Sequence, residues 1–124
     1  MNNKNEIIVI YKEIGKNPKL KKIQNELSAF QDLLGGTLDY IKYKDITILA
    51  RKDRKSLQPN VYLNTTMLNI RERNIRGNII VTCSKNGKFK SLNKEQAMQY
   101  RSFLNAESFK YERGGNNGSN KQLN

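Results

Sequence analysis

The side chains best equipped for chemistry in this chain are cations. Arg51-Lys52-Asp53-Arg54-Lys55 places four of them in five residues, and Arg71, Arg73 and Arg76 follow as an all-arginine group. A guanidinium is a planar fork of donors that matches phosphate or carboxylate oxygens in pairs, whereas an ammonium is a point charge. Tyr40, Tyr43 and Tyr62 lie close by in the sequence. An aromatic ring among cations suits base stacking or an anchor at a protein interface. The chemistry is therefore recognition of something acidic. Arg51, Lys52, Arg54, Lys55, Arg71, Arg73, Arg76 and Tyr62 are the candidate contacts for nucleic acid or another partner, and the two basic clusters are expected to share one continuous exposed face. The plain alternative is a solvated face with tyrosines half in the core.

Charge distribution supports the binding reading. The net charge is +12; residues 51–90 carry +8 of it, with +2 on each side. Charge of this kind speaks of partners rather than of fold. Phosphate contacts give salt-sensitive affinity with little sequence selectivity. No recognition-helix pattern is present, so base-specific reading of duplex DNA is not expected.

Enzymatic chemistry has little to work with. The chain has no histidine, so the usual general base and the commonest metal ligand are missing. Cys83 is the single cysteine. In the run Ile-Ile-Val-Thr-Cys it reads as a strand thiol rather than a nucleophile, and it excludes an internal disulfide. The eleven acidic residues are scattered. Glu6, Glu13 and Asp39 are the least improbable metal-binding carboxylates. No zinc cluster, dinucleotide fingerprint or Walker lysine occurs, so no cofactor, metal or catalytic residue is expected. Gly35-Gly36 ends an apolar-periodic segment, which suits a helix C-cap better than a phosphate loop. Two rival classes stay open: a metal-free, histidine-free nuclease or nucleotide-modifying enzyme built on Tyr, Lys and Arg, and a structural or regulatory protein that oligomerises through a sheet edge.

The elements that position these residues can be read in order. Glu6–Ile14 is β-branched and too short for a helix, so it predicts a strand. After the Gly15–Pro18 turn, Leu20 and Ile23 fit a strand pairing back on the first. Asn25 is a candidate N-cap. Leu27, Phe30, Leu33 and Leu34 share one helical face, closed by Gly35. Thr37–Tyr43 alternates, with Leu38, Tyr40 and Lys42 on one side, and pairs with Ile46–Ala50 through a Lys44-Asp45 turn. Lys52–Asn60 is a loop, and Val61–Ile75 is ambiguous. Ile79–Cys83 is a strand, Asn86-Gly87 a hairpin turn, and Lys88–Ser91 its return. Asn93 with Gln96 forms a capping box for a helix to about Phe109. The predicted core is Ile8, Ile10, Leu27, Phe30, Leu34, Leu38, Ile48, Ile80, Tyr100 and Leu104.

The expected class is α+β: a small antiparallel sheet of hairpins with two helices packed on one face. Residues 1–112 form the single domain. Residues 113–124, with one apolar residue, Leu123, are expected to be a disordered polar tail. No segment has the length of a membrane span. The N-terminus lacks a small-residue cleavage site after its short apolar run. A cytoplasmic protein of a bacterial host cell is expected.

Asn25–Gly36, with Leu27, Phe30, Gln31, Leu34, Gly35, Gly36 and then Leu38, resembles the helix-to-double-glycine signature of the family of domain of unknown function 3846. Leu57–Asn60 is similar to that family's Leu-Pro-x-Asn-Arg loop. Gly77–Cys83 resembles its Gly-x-x-x-Val strand, and Gly87–Leu92 with Tyr100 its closing motif. The resemblance covers roughly Glu6 to Leu104. Val61 stands where the family has Arg, and +12 contrasts with acidic or near-neutral members. The resemblance implies a phage, plasmid or conjugative-element accessory protein. In that setting the partner would be nucleic acid or a nucleic-acid-loaded host defence protein, and the role an anti-CRISPR-like inhibition of bacterial defence.

Overall fold

The computed structural model describes residues 5–62 and 74–116. In chain order the elements are β1 (Glu6–Lys12), β2 (Lys19–Gln24), α1 (Leu27–Leu34), β3 (Leu38–Tyr43), β4 (Ile46–Arg51), β5 (Pro59–Tyr62), β6 (Asn74–Arg76), β7 (Ile79–Lys85), β8 (Lys88–Lys90) and α2 (Lys94–Asn116). The strands of the main sheet run in the order β2-β1-β7-β4-β3, with β8 paired to β7; β5 and β6 form a separate ribbon. Every pairing is antiparallel. This is an α+β fold.

Local turn chemistry closes the hairpins as expected. Lys44 and Asn86 are the described non-glycine residues with positive φ, and Gly87 follows Asn86 at +77°. Two consecutive left-handed residues match the twist of the strands they join. The capping box forms too: Gln96 N donates to Asn93 Oδ1 at 2.8 Å, and Asn93 N to Gln96 Oε1 at 3.0 Å. Asn25 is not the cap of α1. Glu26 takes that position with no side-chain bond, while the Asn25 amide donates to Phe89 O at 3.0 Å. The register across strands outweighs the local preference.

The helices lie on opposite faces of the sheet, which corrects the one-face expectation. Phe30 and Leu34 of α1 pack with Ile7, Val9, Tyr11, Leu49 and Ile80. Ala97, Tyr100 and Leu104 of α2 pack with Ile10, Ile46, Ile48, Ile79 and Val81. Neighbours along β1, β4 and β7 thus alternate between two cores. The runs Ile-Ile-Val-Ile, Ile-Thr-Ile-Leu-Ala and Ile-Ile-Val-Thr are apolar at almost every position because both of their sides are buried; a strand with one wet face would alternate.

Two members of the predicted core are misplaced. Leu27 is 51% exposed and Ile8 36%. Leu27 sits at the first turn of a short helix, on the rim of an open groove over the sheet. Ile8 occupies the stretch of β1 beside Ser91 and Leu92, where the chain following β8 has replaced a full strand. α2 continues through Asn116, past the expected end near Phe109 and into the segment read as tail. Once nucleated by its cap, a helix adds residues at small cost, and glycine weakens it without blocking it.

The α2 face also holds a fully buried lysine. Lys12 Nζ donates to Asn60 Oδ1 at 2.7 Å and to Glu13 O at 2.9 Å. The Asn60 amide donates in turn to Lys12 O and Gly77 O, both at 2.9 Å. One asparagine therefore ties the end of β1 to the β5–β6 ribbon, and the charge is satisfied by hydrogen bonds as burial requires.

Candidate nucleic-acid interface

Arg51 ends β4 opposite Leu38, where α1 gives way to β3. Gly35 caps α1 at φ 89°, its N–H bonded to Gln31 O at 2.7 Å. That is the left-handed C-cap expected from the double glycine. Gly36 does something different. The Arg51 side chain lies across it, where a Cβ would stand at ordinary contact distance, 3.4 Å from Nε. The guanidinium lies near a helix C-terminus, whose exposed carbonyls favour a cation. Arg51 is half-buried and makes no side-chain hydrogen bond or ion pair among the described residues. With Lys52, Thr37 and Asp53 it lines a shallow open basin.

The rest of the loop spends part of its charge on itself. Arg54 is only 11% exposed; it donates to Asp39 Oδ2 at 3.1 Å and to Arg51 O at 2.6 Å. Arg76 donates to Leu57 O at 3.0 Å. Both arginines, expected on the open surface, pin residues 52–58 to the sheet edge and to β6. Lys52 and Lys55 are exposed and remain the loop's outward charges beside Arg51. Arg71 and Arg73 lie outside the described residues, as does the side chain of Tyr62. The expected continuous face joining both clusters thus falls largely outside the described residues; within them, Arg76 reaches the loop through its bond to Leu57 O.

The tyrosines separate cleanly. Tyr43 is buried and stacks on Phe103 at 5.6 Å. Tyr40 is 53% exposed and stacks on Phe89 at 5.8 Å, with 16° between the planes. Phe89 meets the fully buried Phe30 edge-on at 5.1 Å. Tyr40, Phe89, Leu27, Lys42, Thr47 and Ser84 surround a groove of about 540 Å³ on the α1 face of the sheet. The alternation of β3 already places Tyr40 and Lys42 on one side. Phe89, however, comes from the β7–β8 hairpin, and its place beside Tyr40 of β3 depends on long-range strand pairing that no local pattern reveals.

A third polar cluster staples α2 to the β3–β4 turn. Asp45 accepts from Tyr100 Oη and from Gln96 Nε2, the latter at 2.8 Å. These bonds, Tyr100 first, hold its carboxyl below the usual carboxylate range. Burial, then the bond to Asp45, raises the Tyr100 phenol. Cys83 Sγ donates to Gln96 Oε1 at 3.1 Å. Among the described residues no three His, Cys, Asp or Glu side chains are placed to hold a metal ion, and no helix is long and apolar enough to cross a membrane.

The model of the family described as domain of unknown function (DUF3846) matches residues 6–105. The chain belongs to the DUF3846 family. Its motif-bearing residues now have physical roles in this member: Gly35 as the cap, Asn60 as the hub under Lys12, and Tyr100 as the anchor on Asp45. Val61, which stands in place of the arginine in the loop motif, is fully buried, so this DUF3846 chain places no charge there. No curated protein and no solved structure matches it.

Proposed function

We propose that this DUF3846 protein is a non-enzymatic binding protein that takes nucleic acid, free or carried by a host nucleoprotein, on the basic surface around Arg51, Lys52 and Lys55. One observation carries the reading. Arg51 lies against the double glycine at the end of α1 yet engages no acceptor of its own among the described residues, while its neighbour Arg54 is neutralised by Asp39. An arginine positioned and left unengaged suits a phosphate oxygen. The surrounding +8 segment supplies the long-range attraction. As part of the same proposal, the protein is a cytoplasmic accessory of a mobile element that blocks a bacterial defence nuclease. Edge-to-edge oligomerisation is disfavoured, because the edge strands β2 and β3 carry exposed Lys19, Lys22 and Lys42.

The test is titration of labelled oligonucleotides across a salt series. Affinity should fall linearly in log–log terms, with a slope of about −0.7 to −0.9 per phosphate contacted. The Arg51→Glu, Lys52→Glu double variant should lose binding while thermal melting shows that it remains folded. Undiminished binding by that variant overturns the assignment of the surface. Cleavage of the oligonucleotides overturns the non-enzymatic reading.

A further inference from the structure

We infer that the groove beside Tyr40 is a stacking site for an unpaired base, which makes single-stranded nucleic acid the preferred ligand. The inference rests on the phosphate-binding role of the Arg51 surface and goes further by naming the form of nucleic acid. Aromatic platforms for single strands combine an exposed ring with nearby cations, because every base has a π-face and every nucleotide a phosphate. Tyr40 meets the first condition. Half of its surface is open, and the ring is backed by Phe89, which is itself braced edge-on against the buried Phe30. A ring supported in this way is already ordered, so a base loses less in docking on it.

The second condition is met on two sides. Lys42 shares the groove, two residues along the same face of β3. Arg51 is the diagonal neighbour of Tyr40 across the β3–β4 pair, since Tyr40 faces Leu49 and Arg51 lies two residues beyond it. Diagonal neighbours are about 7–8 Å apart at the backbone, so Tyr40 and Arg51 share one face of the sheet, with the guanidinium lying toward Gly35 and Gly36. No carboxylate lines the groove among the described residues. Its floor holds the Thr47 and Ser84 hydroxyls, 2.9 Å apart, which can bond the edge of a base. A duplex keeps its bases stacked on one another and presents none to a ring. An apolar peptide would make no use of the flanking cations.

The full-length protein is titrated with labelled oligo(dT) and with a duplex of the same length. Wild type should bind oligo(dT) more tightly than the duplex. Tyr40→Ala should weaken oligo(dT) binding by about 10-fold or more and duplex binding by less than about twofold, while Tyr40→Phe keeps wild-type affinity. Thermal melting shows that Tyr40→Ala is folded, and size-exclusion chromatography that its oligomeric state is unchanged. Wild-type oligo(dT) affinity in Tyr40→Ala, alongside loss of binding in Arg51→Glu, Lys52→Glu, overturns the stacking site and leaves the basic surface standing. Equal losses on both ligands, or a changed oligomeric state, also overturn it. Failure of the wild-type protein to bind either oligonucleotide overturns both readings.

Discussion

The two faces of the sheet are finished differently. The α2 face has the broader cover: α2 and the β5–β6 ribbon bury Val61, Ile75, Ala97, Tyr100 and Leu104 against it, and even a lysine there is sealed in with its asparagine. The α1 face is covered by eight helical residues. They close the core over Phe30 and Leu34, and the sheet beyond them stays open around Tyr40. The contrast teaches how a domain of this size divides its labour. One face supplies stability through continuous apolar burial. The other keeps an aromatic, cationic surface available because its helix is too short to cover it.

The sharpest way to break that contrast is at Phe30. If the short helix truly seals its half of the face, Phe30→Ala should cost about 3–5 kcal/mol, read as a lowered denaturant midpoint. A cost under about 1 kcal/mol would mean that the α1 face is open throughout. On the opposite face, Asn60→Ala strips the buried Lys12 of one acceptor and leaves two backbone carbonyls short of a donor. A loss of about 3 kcal/mol is expected, and near-wild-type stability would show that the hub is not a point of closure. Gly35→Ala forces a Cβ into the left-handed region and should cost about 1 kcal/mol. No loss would mean that α1 can end without its glycine.

The smallest effect concerns the staple between α2 and the β3–β4 turn. Hydrogen bonds from Tyr100 and Gln96 hold the Asp45 carboxyl low in the folded chain, so the unfolded chain binds that proton more readily. The stability they give is present above about pH 4 and is lost as pH falls through the lowered folded value. Asp45→Asn should therefore flatten the acid limb of melting temperature against pH. An unaltered acid limb would assign the loss to other carboxylates.

Much of this architecture is legible in the amino-acid sequence. Asn86-Gly87, Lys44-Asp45, the capping box of Asn93 with Gln96, and the helix end at Gly35 are decided within a few residues, by which backbone angles a side chain tolerates and which hydrogen bond it can reach locally. The basic character of residues 51–90 is likewise a property of composition. The continuous apolar runs of β1, β4 and β7 also carry the sign of burial on both sides, although hairpin pairing by itself is compatible with a single covered face.

Tertiary structure decided the rest, because it sets distances between residues remote in the chain. Whether Arg54 faces solvent depends on Asp39, fifteen residues earlier. The burial of Lys12 depends on Asn60, 48 residues later. Tyr40 and Tyr43 belong to one strand and look alike in sequence; opposite pleats send one into the α2 core and leave the other on the open face. Sequence by itself determined where the chain turns, where α1 ends and α2 begins, and that most of the positive charge sits in residues 51–90. Only the registered sheet decided which cations are used up inside the fold and which ring stays exposed, since that outcome is a contest among long side chains for partners brought together by folding.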